Sequence, residues 1–230
     1  MAGLYIEYQL LERHETPLGE LALRSYCSEE GSGYEIILNG VFLMATHGCH
    51  SERAMASLAA EMHQGRDDRW DILVGGLGMG YTLNAALNLP KTSSVTVVEA
   101  LPQVVHWNRT LFAEHNSNVL SDKRVRVVTD DLRFFLQRCD RQFHLLLFDI
   151  DNGPGWLASP ENEALYSCEG LALARKVMKP LGVLAVWSPS KNPIFLSTLR
   201  EVFSAVHEIS TESTAKEAGE PPDIIYIAME

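Results

Sequence analysis

Acids that end apolar runs, and one glycine-rich turn, hold the chemistry that the residue types of this chain allow. The turn is Gly75-Gly76-Leu77-Gly78-Met79-Gly80, preceded by Ile72-Leu73-Val74 and followed by Tyr81-Thr-Leu-Asn-Ala-Ala-Leu87. A buried strand, a glycine turn and a helix is how an α/β sheet builds a nucleotide site. Glycine lets a ligand approach where a Cβ would collide, and the helix start leaves N–H groups free to meet it. Gly76, Gly78 and Gly80 spell GxGxG, not the GxGxxG of dinucleotide enzymes. Glu99 ends the next apolar run, about 20 residues on, where a carboxylate can accept both hydroxyls of a ribose. Asp130 and Asp131 end a third run. Asp130 suits the exocyclic amine of an adenine, and either acid could instead cap the next helix. Asp149 ends a fourth run and opens Asp149-Ile-Asp-Asn-Gly-Pro-Gly-Trp156. A carboxylate at that strand tip can hold a cationic amine and take its proton as the amine attacks carbon. Asp151 and Asn152 either touch the same substrate or only stabilise the turn. Trp156 and Tyr166 could wall a cation or pack in the core. Trp107 reads as core or interface.

These residues need a sheet to position them. From residue 70 the chain alternates: strands at 71–75, 94–98, 125–129, 143–148 and 181–187, with helices at 80–88, 102–114, 131–138, 161–178 and 192–204. Apolar strands with interposed helices predict a parallel sheet covered on both faces. Runs 206–211 and 223–228 have no helix between them, so they should pair as a hairpin and bring a reversed strand into the sheet. That ending points to a class I methyltransferase-like, Rossmann-like α/β fold. Residues 1–48 differ. Short β-rich runs at 4–11, 19–24, 34–38 and 41–45 are separated by turn signals, Asn39-Gly40 the strongest. They predict a small antiparallel β domain ahead of an α/β domain over 49–230, packed on it or on a second subunit. A helix over 50–64 follows, with Ser51 as a possible cap.

The composition limits the function. Net charge is −11 with 46% hydrophobic residues, which disfavours nucleic-acid binding through a basic face. Four scattered cysteines, without metal spacing, read as reduced thiols of a cytoplasmic protein. His47, Cys49 and His50 lack a fourth ligand, so no metal is expected. No apolar run is long enough to span a membrane, and the first residues do not read as a secretion signal.

Several stretches together resemble the spermidine synthases (polyamine aminopropyltransferases): Tyr34-Glu-Ile-Ile-Leu-Asn-Gly, the helix bearing Glu52, Val74-Gly-Gly-Leu-Gly-Met-Gly, Val98-Glu-Ala-Leu-Pro-Gln-Val-Val, Thr129-Asp-Asp-Leu-Arg-Phe-Phe and Leu147-Phe-Asp-Ile-Asp-Asn. The resemblance implies a small β domain, a methyltransferase-like domain, and usually a homodimer. It implies S-adenosylmethionine or its decarboxylated form as group donor, with Gly75, Gly76, Gly78, Gly80, Glu99, Asp130 and Asp131 around it. Asp149 would stand as the base for a small amine acceptor, with Glu52, Asp151, Asn152 and Trp156 about that acceptor. The chain departs from the family pattern at identifiable places. The family's loop acid, which helps hold the aminopropyl amine, is Gly78. The Tyr-His-Glu that opens the helix reads His50-Ser51-Glu52. Gly19 replaces a Gln, and Asn152 replaces the second acid after Asp149. By this resemblance the adenosyl pocket looks kept while the polyamine pocket looks rebuilt. Aminopropyl transfer, methyl transfer to a small molecule and a non-catalytic adenosyl-binding protein therefore all stay open. A nicotinamide oxidoreductase is disfavoured by the GxGxG spacing and the terminal hairpin.

Overall fold

The computed structural model describes residues 6–29, 31–46, 50–150, 152–211 and 222–230, without the side chains of His50 and Glu52. Four antiparallel strands come first: β1 (Glu7–Thr16), β2 (Gly19–Ser28), β3 (Gly31–Leu38) and β4 (Val41–Ala45), joined in sequence order. The first three extend further than the apolar runs suggested. Cross-strand pairing carries polar residues such as Arg24 and Glu35 into the ladder, and β1 continues past a bulge at Leu11 as far as Thr16.

Helix α1 (His50–Met62) leads into a seven-stranded sheet of β5 (Trp70–Gly75), β6 (Thr92–Glu99), β7 (Val125–Thr129), β8 (Phe143–Phe148), β9 (Met178–Ser188), β10 (Ala205–Thr211) and β11 (Asp223–Met229). Its order is β10-β11-β9-β8-β5-β6-β7. Strands β5 to β9 run parallel, while β11 pairs antiparallel with both β9 and β10. The terminal hairpin thus reverses one strand within the sheet, as read from the sequence. Helices α2 (Tyr81–Leu87), α3 (Pro102–Arg109), α4 (Leu132–Arg138), α5 (Cys168–Lys176) and α6 (Pro193–Val202) make the crossovers.

Two helices differ from the sequence reading. The predicted 161–178 helix is a 3-10 turn over Pro160–Tyr166 and then α5, restarted by Ser167, whose hydroxyl accepts from the Gly170 N–H. Residue 178 already belongs to β9. The predicted 102–114 helix stops at Arg109, where Thr110 leaves helical geometry.

Alternate residues of the sheet feed two apolar layers. Ile72, Val74, Leu145, Leu147, Val183, Ala185, Ile225 and Ile227 face α1 and α2. Leu73, Leu146, Phe148, Leu184, Val186, Ile224 and Tyr226 face α5 and α6. The first layer also contains Leu21, Leu23, Ile36 and Leu38 of the small sheet. One core therefore joins the two units. Among the described residues, no helix is long and apolar enough to cross a membrane.

Candidate active site

The glycine turn sits where β5 ends between β6 and β8. Gly76 donates to the Val98 carbonyl, and the Asp149 N–H donates to the Gly75 carbonyl, each at 2.9 Å. Gly76 has φ +85°, and a Cβ there would overlap the Asp149 carbonyl oxygen. Only glycine lets the turn pass this close to the end of β8. Gly78, with φ +49°, lies beneath Met44 of β4, whose Sδ would stand 2.5 Å from a Cβ at that position. The same sulfur accepts from the Met79 N–H at 3.1 Å. Two fully buried amides hold the turn from the other side. Asn108 of α3 donates to the Gly78 carbonyl at 2.7 Å and Asn116 donates to the Met79 carbonyl at 3.0 Å. Asn116 also donates to the Asn108 oxygen at 2.8 Å.

Glu99 is buried at the tip of β6. Its two oxygens accept from the Leu77 and Leu101 N–H groups, both at 2.9 Å. Burial pushes its carboxyl above the ordinary value, against the pull of those backbone donors. The Gly78 and Ala100 backbones pull the same way, so the carboxylate ties the glycine turn to the start of α3. Asp130 forms an ion pair with Arg138, one side of α4 away. Asp131 is the cap of α4: its Oδ1 accepts from Arg133 at 2.8 Å and Phe134 at 3.2 Å. The sequence left capping open to either acid, and the structure gives it to Asp131.

Asp149 continues the alternation of β8 on the side of α1 and α2. Its Oδ2 accepts from the Thr82 hydroxyl, in the first turn of α2, at 2.5 Å. Burial raises its carboxyl, and the nearby charge of Asp223 raises it further. Downstream, the Asn152 amide donates to the Phe42 carbonyl at 3.0 Å and so ties this loop to β4. Trp156 is 64% exposed. Tyr166 is buried, donates to the Ile150 carbonyl at 2.9 Å and meets Phe195 edge-on; it belongs to the core. Trp107 is wholly buried and donates to Glu12 of β1 at 3.0 Å. Asp151, the side chain of Glu52, His47 and Cys49 lie outside the described residues. Among those described, no group of three or more His, Cys, Asp or Glu side chains is arranged to hold a metal.

Glu99, the glycine turn, Asp149, Thr82, Asn108 and Asn116 thus share one end of the sheet. Sequence reasoning missed Thr82, Asn108, Asn116, Met44 and Asp223. The amides left a faint signal, as polar residues beside the apolar positions of α3 and the turn after it. Two hollows, of about 370 Å³ on the small sheet beside Tyr34 and His115 and about 600 Å³ beside Arg175 and Glu230, lie away from these residues.

Comparison with known proteins bears on this arrangement. A polyamine aminopropyltransferase of Sulfolobus acidocaldarius is 24% identical over 146 residues, which are 61% of this chain and 47% of that protein. An eEF1A lysine and N-terminal methyltransferase homologue of Drosophila melanogaster is 28% identical over 198 residues, 81% of this chain and 27% of its own length. The chain thus spans about half or less of these two relatives. A spermidine synthase bound to the transition-state analogue AdoDATO superposes with TM-score 0.77 at 13% identity, covering 96% of this chain and 73% of that one. Human methyltransferase-like protein 13 in complex with SAH gives TM-score 0.59 at 19% identity, covering 79% and 82%. These likenesses establish the fold, and the named relatives are transferases. The model of the spermine/spermidine synthase domain matches residues 49–210, and the chain belongs to that family.

Proposed function

We propose that the carboxyl end of the sheet, at the glycine turn, Glu99 and Asp149, receives an adenosyl sulfonium, S-adenosylmethionine or its decarboxylated form, and that the chain transfers a group from its sulfur to an amine. The observation that carries this reading is Asp149. It is a strand-tip carboxylate whose own backbone is bonded to Gly75, so base and turn are held as one piece. The amine nitrogen attacks the carbon next to the sulfonium. That C–S bond breaks, its electron pair returns to sulfur as a neutral thioether, and the nitrogen's proton passes to ionised Asp149. A carboxyl raised by burial is the stronger base once ionised. The Thr82 hydroxyl fixes which oxygen faces the amine. Glu99 is set to accept the ribose hydroxyls. The sulfonium is already activated, so positioning does most of the work.

Family membership favours an aminopropyl group as the one transferred, which makes methylthioadenosine the second product. Methyl transfer is a second reading, and one observation favours it: Gly78 carries no side chain and the neutral Met44 thioether stands over it. The discriminating experiment offers decarboxylated and intact S-adenosylmethionine in parallel, each with putrescine and a broad amine panel, and analyses products by mass spectrometry. A mass gain of one aminopropyl group supports the first reading, and a gain of one methyl group the second. Binding of adenosyl compounds without any product overturns both in favour of a non-catalytic binding protein.

A further inference from the structure

At the amino end of the sheet, remote from the glycine turn, two buried histidines meet. His63 directly follows α1 and is 8% exposed, and His144 of β8 is 1% exposed. Their rings stand edge to face, with centroids 5.7 Å apart. Irregular strand pairing builds this place. The pairing of β8 with β9 jumps from Phe143–Met178 to Leu145–Val183, so Lys179–Gly182 bulge out of β9. Within the bulge Leu181 takes φ +61°, a strained conformation that persists only where its surroundings fix it. The pairing of β5 with β8 begins at Ile72–Leu145, and the Asp71 N–H just before it is taken by the His144 side chain.

Backbone partners fix both tautomers. An N–H only donates, so His144 Nδ1, 2.9 Å from the Asp71 nitrogen, accepts, and the proton of the neutral ring sits on Nε2. A carbonyl only accepts, so His63 Nδ1 donates to Leu181 at 2.7 Å. His63 Nε2 keeps a buried lone pair with no partner among the described residues. The two rings therefore differ in what a proton does to them. His63 can take one at Nε2 and keep its bond to Leu181. His144 can take one only at Nδ1, where it evicts the Asp71 N–H. Charged groups face His144 from each element around it: Asp67 at 3.5 Å from the loop before β5, Lys179 at 3.3 Å from the bulge, Asp71 of β5, and His63 after α1. Lys179 and Arg141 also lie 3.6 Å and 3.8 Å from the Asp71 carboxylate. Burial first, and then the charge of Lys179, push the titration of His144 below its ordinary value of 6.5.

We propose that this cluster is an acid-operated latch: neutral His144 pins the root of β5 and backs the His63 ring that pins the end of α1 to the β9 bulge, and a proton on His144 releases both. The far ends of these two elements reach the site. Strand β5 ends in the glycine turn, and Thr46, just before α1, accepts the Tyr81 hydroxyl at 2.9 Å. The latch does not depend on what the site binds. Its contribution is fully present above about pH 6.5 and is lost as pH falls towards the lowered folded value.

Hydrogen exchange of the full chain, read by mass spectrometry and corrected for the intrinsic effect of pH on exchange, tests this. From about pH 6.5 to about pH 5.5, protection over residues 59–73 and 178–184 should fall by roughly tenfold, the response of an opening that takes up one proton. Protection over residues 81–87 and 125–138 should change less than about threefold. His144→Asn keeps an acceptor for the Asp71 N–H and cannot titrate, so it should hold the acid response to within about threefold. His63→Asn keeps a donor for Leu181 and should leave the response in place. On the wild-type chain, nitrogen-15 resonances should show His144 with its proton on Nε2 at neutral pH and titrating below 6.5. Protection that ignores pH over both stretches overturns the latch, and so does a fall that survives His144→Asn. An equal fall in every peptide overturns it in favour of global acid unfolding, and a His144 that carries its neutral proton on Nδ1 overturns it whether or not the variants fold.

Discussion

Replacing Gly76 by alanine tests how the site is built, and Gly40→Ala is its control. Both glycines have positive φ, +85° and +76°. A Cβ at Gly40 meets nothing within 4 Å, whereas at Gly76 it overlaps the backbone carbonyl of Asp149. The left-handed conformation costs either alanine about 1–2 kcal/mol. Gly76→Ala must also push apart two strand ends that are hydrogen-bonded to each other. Overpacking of this kind adds about 1–3 kcal/mol. For a chain of this size 1 kcal/mol moves the melting temperature by roughly 2–4 °C. By calorimetry Gly76→Ala should therefore melt roughly 2–12 °C below Gly40→Ala. It should also lose most methylthioadenosine affinity, which Gly40→Ala keeps. Equal melting temperatures would refute the claim that the turn and the end of β8 are packed without room for a methyl group.

Asp149→Asn should lower turnover by roughly 10²–10⁴-fold, the usual worth of a general base, while methylthioadenosine affinity by calorimetric titration changes less than about threefold. Its stability should depend on pH with a definite sign. The folded carboxyl titrates above its ordinary value of 3.8, so its contribution is fully present below that value and is lost as pH rises towards the folded one. The melting temperature of Asp149→Asn minus that of wild type should then grow more positive as pH rises above 3.8, and a flat difference would contradict the burial argument. Asn116→Ala removes the Met79 carbonyl's partner and should cost about 1–3 kcal/mol in urea unfolding. Combined with Asn108→Ala the losses should be less than additive, because the two amides bond each other. Glu99→Gln should weaken methylthioadenosine binding by about tenfold or more, since an amide presents one acceptor oxygen where the carboxylate presents two.

What could be read from the sequence was what a short window contains. An apolar run ending in an acid, or Asn-Gly between β-rich runs, states its own geometry, so the sheet, its reversed strand and the glycine turn were all legible. The break between Tyr166 and Ser167 was hidden, because Leu165 and Leu171 continue an apolar spacing that a 3-10 turn and an α-helix share. Which of Asp130 and Asp131 caps α4 depends on a neighbouring Arg138 reaching back along the helix. The residues that brace the turn were less visible still. Met44 comes from another sheet, Thr82 is an ordinary helix residue until β8 lies beside it, and Asp223 acquires a neighbour in Asp149 only through the order of the strands.

The small sheet is fastened to the larger unit at many points. Met44 reaches the glycine turn, Thr46 takes the Tyr81 hydroxyl, Phe42 takes the Asn152 amide, Glu12 takes the Trp107 indole, and Asn39 donates to the Ala158 carbonyl at 2.9 Å. Trimming these strands away would strip the cover from the glycine turn and wet the oily underside of the remainder. Any ancestor or engineered fragment that dispenses with them must grow a replacement covering before it can fold, let alone turn over.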